Sequence, residues 1–363
     1  MKFRCERDVL VEAFSAAARA VATRAALPVL SGVRVGVDGA HLTLAGSDLD
    51  LTIESSATAQ GERDGAAVLP AKLVADILRA LEPGAVTVAV DGESAEIRGG
   101  RSVFSVRTLP VAEFPRLGGA QPGGVTIASS ALADAIRQVV PSASTDDSRP
   151  ILTGVLLTAE SGGLRLVATD SYRLAVRDLP GTTVLQEGQS VLVPSRALAE
   201  VARALGSGSE VTLHLGDREA TFAVGGVRIT TRLIEGQYPP YRNLIPAQLP
   251  NTLTVSRAAL LDALRRVRLL AKDATPVRLK LSGEGLELVA ITQDIGQANE
   301  DVEATYVGTE LTVAFNPEFL MRGVESAETE MITLQTTDHQ KPAVIRPVGN
   351  SEYLYLLMPV RVS

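Results

Sequence analysis

The chain repeats itself at a fixed interval of 122 residues. The segment PVLSGV at Pro28 returns as PILTGV at Pro150, and LTL at Leu42 returns as LRL at Leu164 and as LEL at Leu286. Single apolar matches arise by chance, but one offset shared by many positions does not. The spacing therefore predicts three copies of one structural unit.

The second half of each copy also recurs. VLPAKL from Val68, VPSRAL from Val193 and FNPEFL from Phe315 each lead into an apolar, helix-like stretch. The Gly/Pro-rich segments GGAQPGG and IPAQLP separate the copies, because such residues favour turns and linkers. We therefore expect three domains, at residues 1–121, 122–248 and 249–363.

Each copy is predicted to begin with a helix, continue with three or four alternating strands, and repeat that order with a second helix. Ser130, Ser195, Ser256 and Asn316 are candidate N-caps. The pattern predicts α+β domains, each with two helices packed on antiparallel sheets. The predicted helices span residues 7–21, 71–82, 129–140, 195–205, 256–272 and 317–325.

Composition argues against several classes of protein. The chain is 45% hydrophobic but has no Trp, so its cores must be aliphatic. A single cysteine, Cys5, allows no intrachain disulfide, and three scattered histidines make a zinc site improbable. The charged N-terminus lacks a signal-peptide core, and no long apolar run occurs. We expect a cytoplasmic protein without metal or cofactor.

Positive charge concentrates in the predicted helices, although the chain has a formal net charge of -7. In the fifth helix, Arg257, Arg265, Arg268 and Lys272 fall within an arc of roughly 80°. A lone helix of this kind is more often a solvated face. Three repeats, however, would place equivalent basic helices on one side, and such a surface could hold DNA phosphates without reading sequence.

No nucleotide-binding, serine-hydrolase, zinc-protease or Cys-x-x-Cys motif is present in the sequence. Asp48 and Asp50 could bind a metal, with Asp170 repeating the first of them. Their place before a strand favours an Asx-type turn instead. Nothing pairs a nucleophile with a base, so we predict that the protein is not an enzyme.

With these features in place, the whole chain resembles the bacterial β sliding clamp, the beta subunit of DNA polymerase III. The resemblance rests on the order and spacing of several motifs. They are MKF at Met1, LPVL at Leu27, GRSVFS at Gly100, TLPVAEFPRL at Thr108, ATDSYRLA at Ala168, YPPYR at Tyr238 and LMPVR at Leu357.

This resemblance implies a head-to-tail homodimer that closes as a ring around duplex DNA, with helices lining the pore. It further implies that polymerases, the clamp loader and repair proteins bind through short hydrophobic peptides. The pocket residues that it implies are Leu152, Thr169, Ser171, Tyr172, Arg173, Leu174, Pro239, Asn243, Leu244, Pro342, Leu357, Met358, Pro359 and Val360.

Three pocket positions depart from the family pattern. Ser171 and Tyr172 stand where many members have Gly and His, and Asn243 stands where many have Arg. These departures bear on peptide preference and on sensitivity to small molecules.

The resemblance places the dimer contact at Phe104 and Val106 of one chain against Leu269 and Leu270 of the other. It places Arg24 near DNA. From helix position we add four further candidate DNA-facing residues, which are Arg137, Arg196, Arg203 and Arg265.

Three other interpretations stay open at this point. A metal-dependent enzyme of nucleic-acid metabolism would use Asp48, Asp50 or Asp170 but would not need a threefold repeat. A monomeric repeat scaffold would have no basic inner face. A duplicate clamp that confers resistance to a clamp-binding natural product would share every feature above.

Overall fold

The computed structural model describes residues 1–22, 27–118, 123–160, 162–206, 208–271, 275–293 and 295–361. Three successive copies of one element order follow one another along the chain. In each copy a strand leads into a helix, three or four strands follow, and a further strand leads into a second helix and a final three-stranded meander.

The first copy contains β1 (Lys2–Glu6), α1 (Arg7–Ala18), β2 (Gly32–Asp38), β3 (His41–Ser47), β4 (Leu51–Thr58), β5 (Gln60–Arg63), β6 (Gly65–Pro70), α2 (Ala71–Ala80), β7 (Ala85–Asp91), β8 (Ser94–Gly99) and β9 (Ser102–Arg107). The second contains β10 (Val125–Ala128), α3 (Ser129–Val139), β11 (Gly154–Glu160), β12 (Gly163–Thr169), β13 (Arg173–Pro180), β14 (Ser190–Pro194), α4 (Ser195–Leu205), β15 (Glu210–Leu215), β16 (Glu219–Val224) and β17 (Val227–Arg232).

The third contains β18 (Asn251–Ser256), α5 (Arg257–Val267), β19 (Val277–Ser282), β20 (Gly285–Thr292), β21 (Gly296–Val302), β22 (Ala304–Val307), β23 (Leu311–Phe315), α6 (Pro317–Ser326), β24 (Met331–Thr336), β25 (Ala343–Pro347) and β26 (Tyr353–Leu357). The strands β3, β12 and β20 begin 122 residues apart, which confirms the predicted repeat. The α+β class is confirmed, and so is the presence of the six predicted helices. Two of them are shorter than predicted, since α1 ends at Ala18 and α5 at Val267, and Lys272 lies outside the described residues.

Two sequence-based details were wrong. A strand, rather than a helix, opens each copy. It was missed because β1, β10 and β18 are only four to six residues long and run directly into their helices. Ser130 and Ser195 do not precede their helices, since α3 begins at Ser129 and α4 at Ser195. The other two caps are confirmed: Ser256 Oγ accepts from the Ala259 amide, and Asn316 Oδ1 accepts from the Glu318 and Phe319 amides.

Contacts group the described chain into two compact units, residues 1–130 with 196–233 and residues 131–195 with 234–363. Unit 1 holds a five-stranded sheet, β5-β1-β7-β8-β9, and an eight-stranded sheet, β10-β15-β16-β17-β4-β3-β2-β6. Unit 2 holds a nine-stranded sheet, β14-β11-β12-β13-β26-β25-β24-β18-β22, and a four-stranded sheet, β21-β20-β19-β23.

Each of the two large sheets runs from one copy of the repeat into the next. In unit 1 the seam is the antiparallel pair β4–β17, with Ile53 opposite Ile229. In unit 2 it is the antiparallel pair β13–β26, with Ala175 opposite Tyr355. Because Ile53 and Ala175 are 122 residues apart, the two seams join equivalent strands in the same register.

Helices pack on these sheets closely enough to require glycine at one contact. A Cβ atom built on Gly46 of β3 would lie 2.1 Å from the Ala17 carbonyl oxygen of α1. The equivalent positions, Ala168 and Ala290, carry a methyl group. In the part of the chain that the structure describes, no helix is both long and apolar enough to span a bilayer.

We expect Gly46→Ala to lower the free energy of unfolding by about 1–3 kcal/mol, because the new methyl group would overpack a backbone contact. Chemical denaturation would measure the change. The control is Gly283→Ala, since a Cβ at Gly283 meets nothing within 4 Å. Equal stability for the two variants would contradict the close approach of α1 to β3.

Candidate partner-binding site

A tight turn between β12 and β13 forms one side of the candidate pocket in unit 2. Asp170 Oδ1 accepts hydrogen bonds from the amides of Tyr172 (2.9 Å) and Arg173 (3.0 Å), while Arg173 Nε donates to Asp170 Oδ2 (2.9 Å). Thr169 Oγ1 accepts from the Ser171 amide. This side-chain capping holds Ser171 at φ 81°, in the left-handed region.

The first repeat builds the same turn. Asp48 Oδ1 accepts from the amides of Asp50 and Leu51, and Leu49 has φ 80°. The Asx-type turn predicted for Asp48 is thereby confirmed, and its carboxylate also pairs with Arg196 at 2.6 Å. Within the described ranges, no three His, Cys, Asp or Glu side chains are grouped as metal ligands.

The floor of the pocket is apolar and lies on the β13–β26 seam. Leu174 pairs with Leu356 and Val176 with Leu354, so all four side chains share one face. A buried cluster joins them to Val167, Val344 and Tyr241, with Tyr238, Ile245 and Leu249 packed against it. Burial raises the pKa of the Tyr238 hydroxyl, which therefore stays neutral.

The rim of the pocket is more exposed. Tyr172 (61%), Leu244 (44%) and Met358 (37%) expose large apolar surface, and the Met358 amide donates to the Tyr172 carbonyl at 2.9 Å. Asn243 is exposed, whereas Pro239, Pro342, Pro359 and Val360 are half-buried. The Val360 amide donates to the Ala314 carbonyl at 2.8 Å, which fixes the end of the described chain.

Other residues implied by the resemblance have different surroundings. Leu152 and Thr169 are buried. Leu357 is fully buried, and strand alternation puts it on the same face as Tyr355, whose hydroxyl donates to the Phe319 carbonyl of α6. Leu356, which sequence reasoning missed, is therefore the floor residue. Period-two alternation from Leu174 along the paired strand was the signal that could have identified it.

The Arg173 side chain makes its contacts within the chain. Besides its bond to Asp170, its guanidinium lies 4.3 Å from the centre of the Phe319 ring. The Tyr172 ring is 6.5 Å from the same ring. Phe319 was also missed, because its position in the first turn of α6 resembled an ordinary core residue. Together the residues form an apolar surface patch with an aromatic rim, a composition suited to a peptide anchor.

The residues predicted at the dimer contact lie at sheet edges or beside them. Phe104 and Val106 are on β9, the outer strand of the five-stranded sheet, and Val103 is 50% exposed. Leu269 is 72% exposed and Leu270 is half-buried, in a turn next to β20 and β21. An exposed apolar edge of this kind is normally covered.

The predicted DNA-facing arginines are exposed, but each is ion-paired within its own unit. Arg196 pairs with Asp48, Arg203 with Glu200, and Arg265 with Asp262. Arg137 pairs with Asp134 and Glu328. Arg24 lies outside the described residues.

A basic groove between α1 and α2 was not predicted. Its floor is made of small residues such as Ala18 and Ala75, and Arg19, Lys72 and Arg79 line it. Lys72 is exposed and makes no ion pair within the residues that the structure describes. Arg257, which was predicted on the basic face of the fifth helix, is used within the chain instead. Its guanidinium donates to the carbonyls of Val324 and Glu325 and so caps α6.

Three family models match consecutive parts of the chain: DNA polymerase III beta subunit, N-terminal domain (residues 1–118), central domain (126–240) and C-terminal domain (242–361). The Beta sliding clamp of Streptomyces coelicolor is 37% identical, with all of both chains covered. The Beta sliding clamp homolog GriR of Streptomyces muensis is 32% identical over 99% of both. A DnaN sliding clamp from Bartonella birtlesii, solved bound to griselimycin, superposes with a TM-score of 0.94 at 30% identity, with all of both chains covered.

The left-handed turn generates a stability prediction. We expect Ser171→Gly to raise the free energy of unfolding by up to about 1 kcal/mol. A side chain at positive φ costs roughly 1–2 kcal/mol, and the greater conformational entropy of glycine in the unfolded state offsets part of the gain from removing it. Ser171→Val should lower it. Denaturation curves of both variants test this, and a stabilising valine would contradict the φ value assigned to the turn.

Proposed function

The chain belongs to the family of the DNA polymerase III beta subunit and is a sliding clamp, and from this premise we propose how its own residues close a ring, hold DNA and recruit partners. In this proposal two copies join head to tail around duplex DNA in the cytoplasmic replisome. The ring makes a polymerase processive by tethering it, without catalysing a reaction.

The observation that carries this proposal is a pair of open sheet edges. In both seams, the third strand after a repeat's first helix (β4 or β13) pairs with the last strand of the next repeat (β17 or β26). The strands in the corresponding positions are β21 in the third repeat and β9 in the first. Both are outer strands of their sheets in the described structure.

The two existing seams also supply a register for a third one. Gly46 pairs with Ile53, Ala168 with Ala175, and Ala290 with Ala298, so Ala298 is the equivalent of the seam residues Ile53 and Ala175.

On the other side of the seam, Phe104 corresponds to Ile229. Each stands opposite a buried residue across the hairpin, Ile97 and Phe222, and each hairpin turns at a glycine of positive φ. We therefore pair Phe104 of one copy with Ala298 of the second, and Val103 with Asn299. Leu269 would then be covered beside this seam. The contact is heterologous, and ring closure leaves neither β9 nor β21 unpaired.

Weak grip on DNA fits the paired state of the basic residues. Arg137 and Arg265 each exchange an exposed aspartate for a phosphate, and exposed ion pairs contribute only about 0–1 kcal/mol. Arg196 and Arg203 instead pair with Asp48 and Glu200, whose side chains are largely buried. Binding of this kind reads no bases and falls with salt. Retention on DNA then depends on ring closure rather than on contact strength.

The peptide pocket is proposed to recruit the polymerase III catalytic subunit, the clamp loader and repair proteins. Its buried floor and exposed rim support this role, because an apolar anchor would cover Leu244 and Met358. Identity is higher to the Streptomyces coelicolor clamp than to GriR, which favours the replicative role over that of a resistance-type duplicate.

Ring closure is tested by a disulfide across the proposed seam. Opposite positions in an antiparallel pair have Cα atoms about 4.5–5.5 Å apart, within disulfide range. We expect Val103→Cys with Asn299→Cys to form a covalent dimer on oxidation. The control Val103→Cys with Asp301→Cys is displaced by two residues and should cross-link poorly. Native Cys5 is buried and does not interfere.

The same variant tests function. Loaded on nicked circular DNA by a clamp loader and then oxidised, it should stay on the circle in high salt. It should leave once the DNA is linearised. Release of the oxidised protein from circular DNA in high salt would contradict the ring mechanism. Retention on DNA that is the same with and without free ends would also contradict it.

Peptide binding is tested at the rim. We expect Met358→Arg and Leu244→Arg to weaken binding of the clamp-binding peptide of the polymerase III catalytic subunit by about tenfold or more, ~1.4 kcal/mol, since a charge replaces an apolar contact. Fluorescence anisotropy would measure the change. The control is Val348→Arg, which is similarly exposed (46%) and lies outside the pocket. Unchanged affinity in both rim variants would argue against this pocket.

A further inference from the structure

A cavity lies on the same sheet face as the proposed peptide pocket. Its volume is about 150 Å³, and it is lined by Arg165, Val176, Tyr241, Arg346 and Leu354, among others. Val176 and Leu354 also belong to the apolar floor of the proposed peptide pocket. The pocket and the cavity are therefore neighbours along β13 and β26, with Tyr238, Tyr241 and Ile245 packed on the floor that they share.

Arg346 is the unusual residue of this cavity. On β25 it lies two residues after Val344, a floor residue, and so shares its face. It is half-buried, and its guanidinium has neither an ion pair nor a hydrogen bond within the described chain. Burial lowers the pKa of Arg346, and no carboxylate offsets this effect. An arginine stays charged all the same.

The other arginines that line the cavity are already neutralised. Arg165 donates to Asp178 through Nε (2.6 Å) and Nη2 (2.9 Å) and also pairs with Glu160. Arg242 pairs with Glu160, and Tyr241 donates to the same carboxylate at 3.2 Å. These bonds hold the cavity wall in place.

Charge balance defines what the cavity would accept. Arg165 and Arg242 are matched by Asp178 and Glu160. Glu352 is matched by Arg177, so Arg346 is left as one unmatched positive charge of the lining. A partly buried guanidinium without an anion has lost hydration that nothing replaces. A monoanion restores neutrality, whereas a dianionic phosphate would leave an excess negative charge. A carboxylate also matches the planar fork of arginine.

We propose that Arg346 binds an aspartate or glutamate side chain of the same partner peptide that anchors in the apolar pocket. This inference rests on the proposed function. Leu174 and Val176 are two positions apart on β13, a distance of about 6.6 Å. An acid within about two or three residues of the apolar anchor would therefore reach the cavity. The site adds a charge preference to a pocket that otherwise selects apolar groups.

The test uses the clamp-binding peptide of the polymerase III catalytic subunit, synthesised with Glu or Gln at each of three positions on either side of its apolar anchor. Wild-type protein should bind one Glu peptide about tenfold more tightly than its Gln counterpart. Arg346→Gln should abolish that preference and leave affinity for the Gln peptide unchanged. The control Arg218→Gln, which removes an exposed charge elsewhere, should keep the preference.

Each alternative result has a distinct meaning. A Glu preference that survives in Arg346→Gln, or no preference at any position in wild type, would overturn the inference while the pocket itself stands. Binding of neither peptide by wild type would overturn the proposed function and the inference with it. If inorganic phosphate binds at Arg346 and no acidic peptide does, the site takes a free anion, and the proposal of a partner carboxylate is wrong. Thermal unfolding of Arg346→Gln at or above the wild-type temperature would exclude misfolding as the cause.

Discussion

Strand pairing between successive repeats is the interaction on which the rest of the molecule depends. The β4–β17 and β13–β26 seams convert the meanders of neighbouring copies into single sheets of eight and nine strands. A seam satisfies the backbone groups of two edges that would otherwise be open. Two strands in positions equivalent to the seam strands, β9 and β21, have no seam partner in the described chain. In the proposed dimer these two strands pair with each other, so the repeat itself supplies both sides of the head-to-tail contact.

Much of this architecture could be predicted from the sequence, since the 122-residue offset and the helix periodicity survive divergence. The short strands before α1, α3 and α5 could not, because their few residues merge into the helices that follow. The residues of the proposed pocket floor could not all be predicted from the sequence either. Leu356 and Leu357 are both apolar, and only the register opposite Leu174 and Arg173 decides which of them faces the pocket. The unpaired state of Arg346 likewise depends on which carboxylates the other strands place near it.

The repeated Asx turn shows how equivalent geometry acquires different uses. Asp48 and Asp170 hold the same backbone conformation, with Leu49 and Ser171 at nearly equal positive φ. In the first repeat the second carboxylate oxygen pairs with Arg196 of α4. In the second repeat the corresponding oxygen of Asp170 accepts from Arg173 and orients that side chain against Phe319, and the turn forms the rim of the proposed pocket. The repeat supplies the scaffold, and a few side chains at equivalent positions decide whether it stabilises a helix contact or presents a surface.

The same division applies to charge. The helix arginines are exposed and paired with neighbouring acids, so a phosphate that replaces such an acid gains little, and movement along DNA costs little for the same reason. Arg346 differs because it is half-buried and has no acid to release. In the proposed site, an incoming carboxylate would replace hydrogen bonds to water that the guanidinium lost on folding, so this contact would be more selective than those on the helices. Weak contacts suit DNA, along which the protein must slide, and the unpaired arginine suits a partner peptide that must stay bound.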